Sequence, residues 1–281
     1  MEKLNILDYK FKSDSTLPFE DYVFLPFYFD GKPLSLKKSP GWGMSLKNAD
    51  SMRFRWNEKN CNREKFLFNV AKKSVPVALE QNHTKDVFEV ESQEDALKKI
   101  GDGIITKNKA LMPVVTVADC VPIFFYDVET CVFGIVHSGW KGTGIAKEWL
   151  LMAKQKFNVQ PKNVCVAIGA HINDCCYVVD KTRAKYFSTN FTPECVRPVK
   201  EGEPLCKESA ASWNCGNPPH FRLSLLKANL ALLRTCGILE KNIVVSSNCT
   251  CCNLEFGSNR REMSISNSFT VQAAFVKFSN F

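Results

Sequence analysis

Val121-Pro122-Ile123-Phe124-Phe125-Tyr126, Asp127-Val128-Glu129-Thr130 and Cys131-Val132-Phe133-Gly134-Ile135-Val136 follow one another without a break. The outer two segments are apolar and rich in aromatic and β-branched residues, which favours strands. The middle one is a polar stretch that reads as a hairpin turn. If Tyr126 faces Cys131 across that turn, counting outward pairs Cys120 with His137. Directly opposed residues on antiparallel strands point to one face, with Cβ atoms about 4.5–5.5 Å apart. A thiol and an imidazole so placed can share a metal or form a nucleophile–base pair. Taken singly, each residue also fits a bland role, a buried Cys and a His beside a Gly turn.

Further strands are expected around this hairpin. Leu111–Val117 precedes it and Val164–Ile168 follows, both strongly apolar. Shorter strands are expected at 22–28, 75–79, 87–90, 104–106 and Ile243–Ser246. Helical spacing appears at 62–73, at Ile145–Phe157 and at 180–187. A further helix at 223–236 has Gly237 as its stop. Residues 1–60 read as largely irregular, with Gly41-Trp42-Gly43 as a loop. Residues 192–219 read as a surface excursion. No solenoid-type repeat is present. The expected fold is α+β, a mixed β-sheet core covered by helices, with a candidate metal site at the ends of a hairpin. One domain over 1–281 is expected, with 1–60 divergent and 60–265 carrying the motifs.

The chain has 281 residues, 45% hydrophobic and 23% charged, and a formal net charge of +8. That charge suits an anionic ligand. The basic residues are scattered, so nucleic acid is not expected as a partner. No run approaches the roughly 18 apolar residues of a membrane span, and residues 1–5 carry no apolar leader. Thirteen cysteines in such a chain are expected to be reduced thiols in a cytoplasmic protein. Cys249-x-x-Cys252 is expected to be structural or incidental thiols. No second C-x-x-C exists, and Cys175-Cys176 is too tight to serve as one.

His83, one of four histidines, also ends a predicted strand. With Cys120 and His137 it makes a His₂Cys set, and catalytic zinc commonly takes three protein ligands. Gln81-x-His83, Asp102-Gly103-x-x-Thr106, Ala118-Asp119-Cys120-x-Pro122 and Val136-His137-Ser138-Gly139-Trp140-Lys141-Gly142 occur in that order. Cys175-Cys176-Tyr177, Cys249-Thr250 and Ser258-x-Arg260-Arg261 follow. This series resembles the YfiH-like, laccase-domain family of purine nucleoside phosphorylases, once called multicopper polyphenol oxidoreductases. Asn62-Arg63 resembles an Asn-Arg pair of the same family.

The resemblance implies a zinc site formed by His83, Cys120 and His137, which would also carry the catalysis. Copper is the ion implied by the older name. The resemblance further implies phosphorolysis of adenosine, inosine and methylthioadenosine, with adenosine deamination besides. Purine nucleosides and phosphate are then the partners. Arg260, Arg261, Lys141, Asn62 and Arg63 are the candidate substrate and phosphate contacts, since guanidinium groups suit phosphate. Asp102 and Asp119 are candidates to orient a ligand histidine or to bond a ribose hydroxyl. The chain departs from the family at Thr84, Lys141 and 169–178, and no Gly-Gly-Val-Ser loop is evident. A Cys120–His137 hydrolase is the rival that needs no metal. Four histidines are too few for a multinuclear copper centre, although one His₂Cys copper site fits by ligand type.

Overall fold

The computed structural model describes residues 4–8, 21–205 and 215–279. Its larger sheet has seven strands, in the order β1 (Asn5–Leu7), β16 (Ile243–Ser246), β12 (Val164–Ile168), β10 (Val121–Asp127), β11 (Phe133–Ser138), β8 (Gly103–Thr106) and β7 (Val87–Glu89). The pairs β1–β16, β16–β12 and β8–β7 are parallel and the rest antiparallel, so the sheet is mixed as expected. A second sheet has the order β2 (Tyr22–Pro26), β5 (Pro40–Ser45), β17 (Gln272–Phe278), β9 (Leu111–Val117) and β6 (Val75–Ala78). Two minor sheets join β3 (Tyr28–Phe29) to β4 (Lys32–Pro33), and β13 (Val178–Val179), β15 (Phe221–Leu223) and β14 (Val196–Pro198).

Side chains alternate between faces along a strand, and here both faces are apolar. Phe124, Tyr126, Cys165 and Ala167 point to a core shared with Trp42, Met44, Val115 and Val276 of the second sheet. Ile123, Phe125, Val164 and Val166 point the other way, to the helices α3 (Ile145–Phe157) and α5 (Leu225–Thr235). Helix α1 (Cys61–Ala71) lays Phe66, Leu67 and Val70 on the outer face of the second sheet. The layers therefore run helix, sheet, sheet, helix. Shorter helices α2 (Gln93–Ala96), α4 (Lys181–Asn190) and α6 (Asn259–Ser266) complete the chain. Among the described residues no helix is long and apolar enough to cross a membrane.

Three expectations need correction. Tyr126 faces Phe133, not Cys131, and Pro122 faces His137. The turn is longer than its four polar residues, because Cys131 adopts a left-handed conformation and Asp127 takes the Glu129 and Thr130 amides on its carboxylate. The slip is two residues, one full side-chain period, so His137 keeps its face. Second, Gly41-Trp42-Gly43 is no loop but part of β5, which is buried throughout. A side chain at Gly43 would meet the Val23 carbonyl at 2.5 Å, so its glycine lets β5 and β2 pack closely. Third, residues 21–60 hold four strands, three of them short or edge-like and one central. Strand β17 and helix α6 are additional elements. Of the 192–219 excursion, 206–214 lies outside the described residues.

Candidate metal centre and cavity

The chain leaves β9 in one sheet and enters β10 in the other through only Ala118-Asp119-Cys120. Cys120 is thereby held at the seam between the sheets. His137 lies in β11, whose strand is paired with β10, and is 3% exposed. His83 sits in the loop after β6, with φ +57°, a backbone conformation few side chains adopt freely. The rings of His83 and His137 meet edge to face, 4.8 Å between centroids.

One buried carboxylate orders both histidines. Asp102 accepts from His137 Nδ1 at 2.7 Å, which leaves the Nε2 side of the ring to Cys120 and to a metal. It also accepts the backbone N–H groups of Asn82, His83 and Thr84, and the Thr84 hydroxyl. This clamp holds the strained His83 backbone in place. Such orientation of a ligand histidine by a carboxylate is usual at metal sites. Burial pushes the Asp102 carboxyl upward, but His137 and Thr84 outweigh it and hold it below its ordinary value.

The Cys120 Sγ lies 4.0 Å from His83 Nε2, and the three ligand atoms all lie within 4.8 Å of one another. Tetrahedral zinc with bonds of about 2.0–2.3 Å spaces N and S ligands by about 3.6 Å, so a small contraction suffices. Gly139 leaves the room: a Cβ there would stand 2.9 Å from both Cys120 Sγ and His83 Cδ2. Burial opposes the Cys120 thiolate. His137 and His83 beside it prevail and bring the thiol down to about 6. Burial likewise opposes the His137 cation, but Cys120 and Asp102 raise its pKa to about 10. The other histidines are elsewhere engaged: His171 Nδ1 with the Gly169 carbonyl, His220 Nε2 with that of Gly216.

These three residues line a cavity of about 610 Å³. Among the described residues Arg53, Arg55, Lys141, Arg183 and Arg260 also line it, against a single carboxylate, Asp119. The Arg183 guanidinium stacks on Trp140 at 4.4 Å and its NH1 donates to the Tyr177 hydroxyl at 3.4 Å. Lys141 Nζ lies 5.5 Å from the same Trp140 ring. Arg260 is buried over Tyr177, with donors on the Val178 carbonyl and Cys215 Sγ. Asp119 fixes this wall. It accepts from Thr250 Oγ1, Ser258 Oγ and the Arg260 backbone N–H.

Arg261 is placed differently from Arg260. Its guanidinium donates to the carbonyls of Thr250, Cys251, Asn253 and Phe256 and pairs with Glu262. It does not line the cavity. Asn62 and Arg63 do not line it either. Asn62 is exposed and bonds Asp50, while Arg63 stacks on Phe54 at 4.3 Å. Burial pulls the Arg63 pKa down to about 10. Sequence reasoning passed over Arg53, Arg55, Trp140, Tyr177 and Arg183. Trp140 and Tyr177 stand inside the quoted motifs, and Arg53-Phe54-Arg55-Trp56 alternates charge with aromatic rings. Arg183, one turn into α4, carries no local signal.

Fold and site define the class: an α+β protein of two packed mixed sheets, with a metal-capable His₂Cys set on the wall of a cationic cavity. The chain belongs to the multi-copper polyphenol oxidoreductase laccase family, whose model matches residues 53–272. Purine nucleoside phosphorylase YlmD of Geobacillus stearothermophilus is 32% identical over 197 residues, 66% of this chain and 67% of that protein. A purine nucleoside phosphorylase of Clostridium acetobutylicum is 40% identical over 102 residues, 35% of this chain and 42% of its own length. The match thus spans two thirds of one relative and well under half of the other. The crystal structure of hypothetical protein YfiH from Bacillus licheniformis superposes with a TM-score of 0.71. That likeness covers 85% of this chain and 93% of YfiH, at 25% identity.

Proposed function

We propose that the chain is a zinc-dependent purine nucleoside phosphorylase, converting adenosine, inosine or methylthioadenosine plus phosphate to free base and ribose 1-phosphate (or its methylthio analogue). One observation carries the reading: a single cavity joins the His₂Cys set to five cationic side chains. The curated relatives that bear this activity in their names support it. In the reaction a C1′–O bond to phosphate forms and the C1′–N9 bond breaks, so the cavity must hold an anion beside a sugar gaining positive charge. Arg183, Lys141 and Arg260 are the anion anchors. Among the described residues three of the five Arg260 N–H donors are engaged, which leaves Nε and one NH2 hydrogen for a phosphate oxygen. Trp140, Tyr177 and Phe54 are aromatic rings of the cavity wall, each with a guanidinium on one face, so a purine would pack against the edge or the other face. Arg261 supports the turn behind this wall and reaches phosphate only indirectly.

His83, Cys120 and His137 would hold the zinc, which acts as a Lewis acid toward an oxygen brought into the cavity. Copper fits the same three ligands. Among the described residues only two of the four imidazoles enter a metal-capable set, so the family's multi-copper name is read here as one mononuclear ion. Adenosine deamination on this site would use a proton carrier other than the H-x-E glutamate of nucleobase deaminases, since Lys85 stands there. The lowered Cys120 thiol beside a raised His137 favours one second reading, a metal-free Cys–His hydrolase.

Base release from adenosine, followed with and without phosphate, separates these readings. Phosphate-dependent release that is lost in Cys120→Ala together with the metal is the expected result. Release independent of phosphate makes the protein a hydrolase. No release from any purine nucleoside, with phenol oxidation once copper is supplied, overturns the phosphorylase reading.

A further inference from the structure

Four cysteines outside the cavity come together from two distant turns. In the first turn the Cys176 and Tyr177 amides donate to the Asn173 carbonyl, at 3.0 and 2.9 Å. In the second the Cys252 and Asn253 amides donate to the Cys249 carbonyl, at 3.1 and 2.9 Å. The turns are clasped by Thr250 N–H on the His171 carbonyl at 3.0 Å and by Asn173 Nδ2 on the Ser247 carbonyl at 2.9 Å. Cys175-Cys176 thus supplies the second pair that its tight spacing argued against. The sulfurs of Cys175 and Cys176 lie 3.8 Å apart, those of Cys175 and Cys252 3.7 Å, and those of Cys176 and Cys252 3.4 Å. All four sulfurs, with Cys249, lie within 4.8 Å of one another.

These separations are far longer than a disulfide bond of about 2.05 Å. They match the edges of a tetrahedron around zinc, which at a Zn–S distance of about 2.3 Å measure about 3.8 Å. One outer feature suits a thiolate: the Asn173 backbone N–H donates to Cys249 Sγ at 3.3 Å, as outer-shell amides do at thiolate sites. Arg222, 4% exposed and paired with Glu203 at 2.6 Å, sets its guanidinium against the Asp174 and Cys175 carbonyls and so braces the first turn.

We propose that Cys175, Cys176, Cys249 and Cys252 form a second metal site, a tetrathiolate centre for one zinc ion. Four protein ligands close the coordination sphere, which makes the site structural. The ion would staple the turn carrying Ile172 and Tyr177, on the cavity wall, to the turn carrying Thr250. Thr250 in turn holds Asp119, and Asp119 holds the Arg260 backbone. The proposal stands apart from the phosphorylase reading, since it concerns none of the cavity's ligands.

The test is metal analysis of the full chain purified without added metal, in a variant carrying His83→Ala, Cys120→Ala and His137→Ala together. One zinc per chain is expected to remain, and to be lost on adding Cys249→Ser and Cys252→Ser. Should that last variant fail to fold, cobalt exchanged into the triple variant is expected to show the thiolate-to-metal charge-transfer bands of four sulfurs. A folded triple variant with no metal and four thiols open to alkylation would overturn the proposal. So would an intact mass showing a disulfide among the four, or a cobalt spectrum of fewer thiolates.

Discussion

Asp102→Asn isolates the part played by one buried carboxylate. Its two oxygens divide the work: Oδ1 accepts from His137 Nδ1 and the His83 N–H, Oδ2 from Asn82, Thr84 N–H and the Thr84 hydroxyl. An amide of the same shape keeps only one of these acceptors and turns N–H donors toward the other set. With the amide nitrogen in place of Oδ1 both ligand histidines lose their acceptor; with it in place of Oδ2 the Asn82 and Thr84 bonds that shape the His83 loop are lost instead. A hydrogen bond to a charged group contributes roughly 1.5–3 kcal/mol. At about 1.4 kcal/mol per tenfold in a binding constant, that is about a 10- to 150-fold loss of metal affinity. The range agrees with the 10- to 100-fold typical of outer-shell partners of metal ligands. Summing all five bonds would overstate the effect, because Asn82 and His83 are exposed and water can replace the carboxylate at their amides. Competition against a chromophoric zinc chelator measures the affinity, with the melting curve of the same sample as a check on folding. An Asp102→Asn protein that folds and binds zinc within twofold of the parent would refute the role given to this carboxylate.

Asp119→Asn should give the complementary result, unchanged zinc affinity but a raised KM for phosphate, because Asp119 holds Arg260 rather than a metal ligand. Arg260→Ala should raise the phosphate KM more than the nucleoside KM, whereas Arg261→Ala should act mainly by lowering the melting temperature, as steady-state kinetics and thermal melts will tell. Gly139→Ala should cost most of the bound metal, since the added methyl stands 2.9 Å from two ligand side chains, and metal analysis reads this directly. In chelator-treated protein His83→Gly should be more stable than His83→Ala by about 1 kcal/mol, because only glycine adopts the positive φ without strain. Equal melting temperatures for the two would remove the strain argument.

The architecture was legible where pattern and packing agree. Val121-Pro122-Ile123-Phe124-Phe125-Tyr126 is apolar on both faces, and the structure buries Phe124 between the sheets and Phe125 under α3. The expected α+β class and mixed central sheet follow from such runs. What the pattern cannot carry is a partner hundreds of residues away. Strand β5 reads as a loop because of its glycines. It becomes a strand only because β2 and β17 flank it and Gly43 admits their close approach. The hairpin register was misjudged by two residues because Asp127 rearranges the turn through its own carboxylate, an effect absent from any count of apolar residues.

The candidate site shows the same division. Cys120 and His137 could be brought together from the sequence because a two-residue slip preserves the face of a strand. His83 was reachable as a histidine at the end of a predicted strand and through the motif series, but its distance from Cys120 was not, since its loop is shaped by Asp102, nineteen residues further on. Arg260 and Arg261 are neighbours in a helix, so sequence treats them alike, yet successive helical residues point about 100° apart and do not share a face. One therefore looks into the cavity while the other ties down the 250–256 turn. Arg183 and Arg53 come to the same cavity from α4 and from the approach to α1, two elements whose local patterns say only that their charged residues are solvated. Their meeting is a consequence of layer packing: the cavity opens at the seam where Ala118-Asp119-Cys120 crosses between the sheets, and elements from both flanks must close around it.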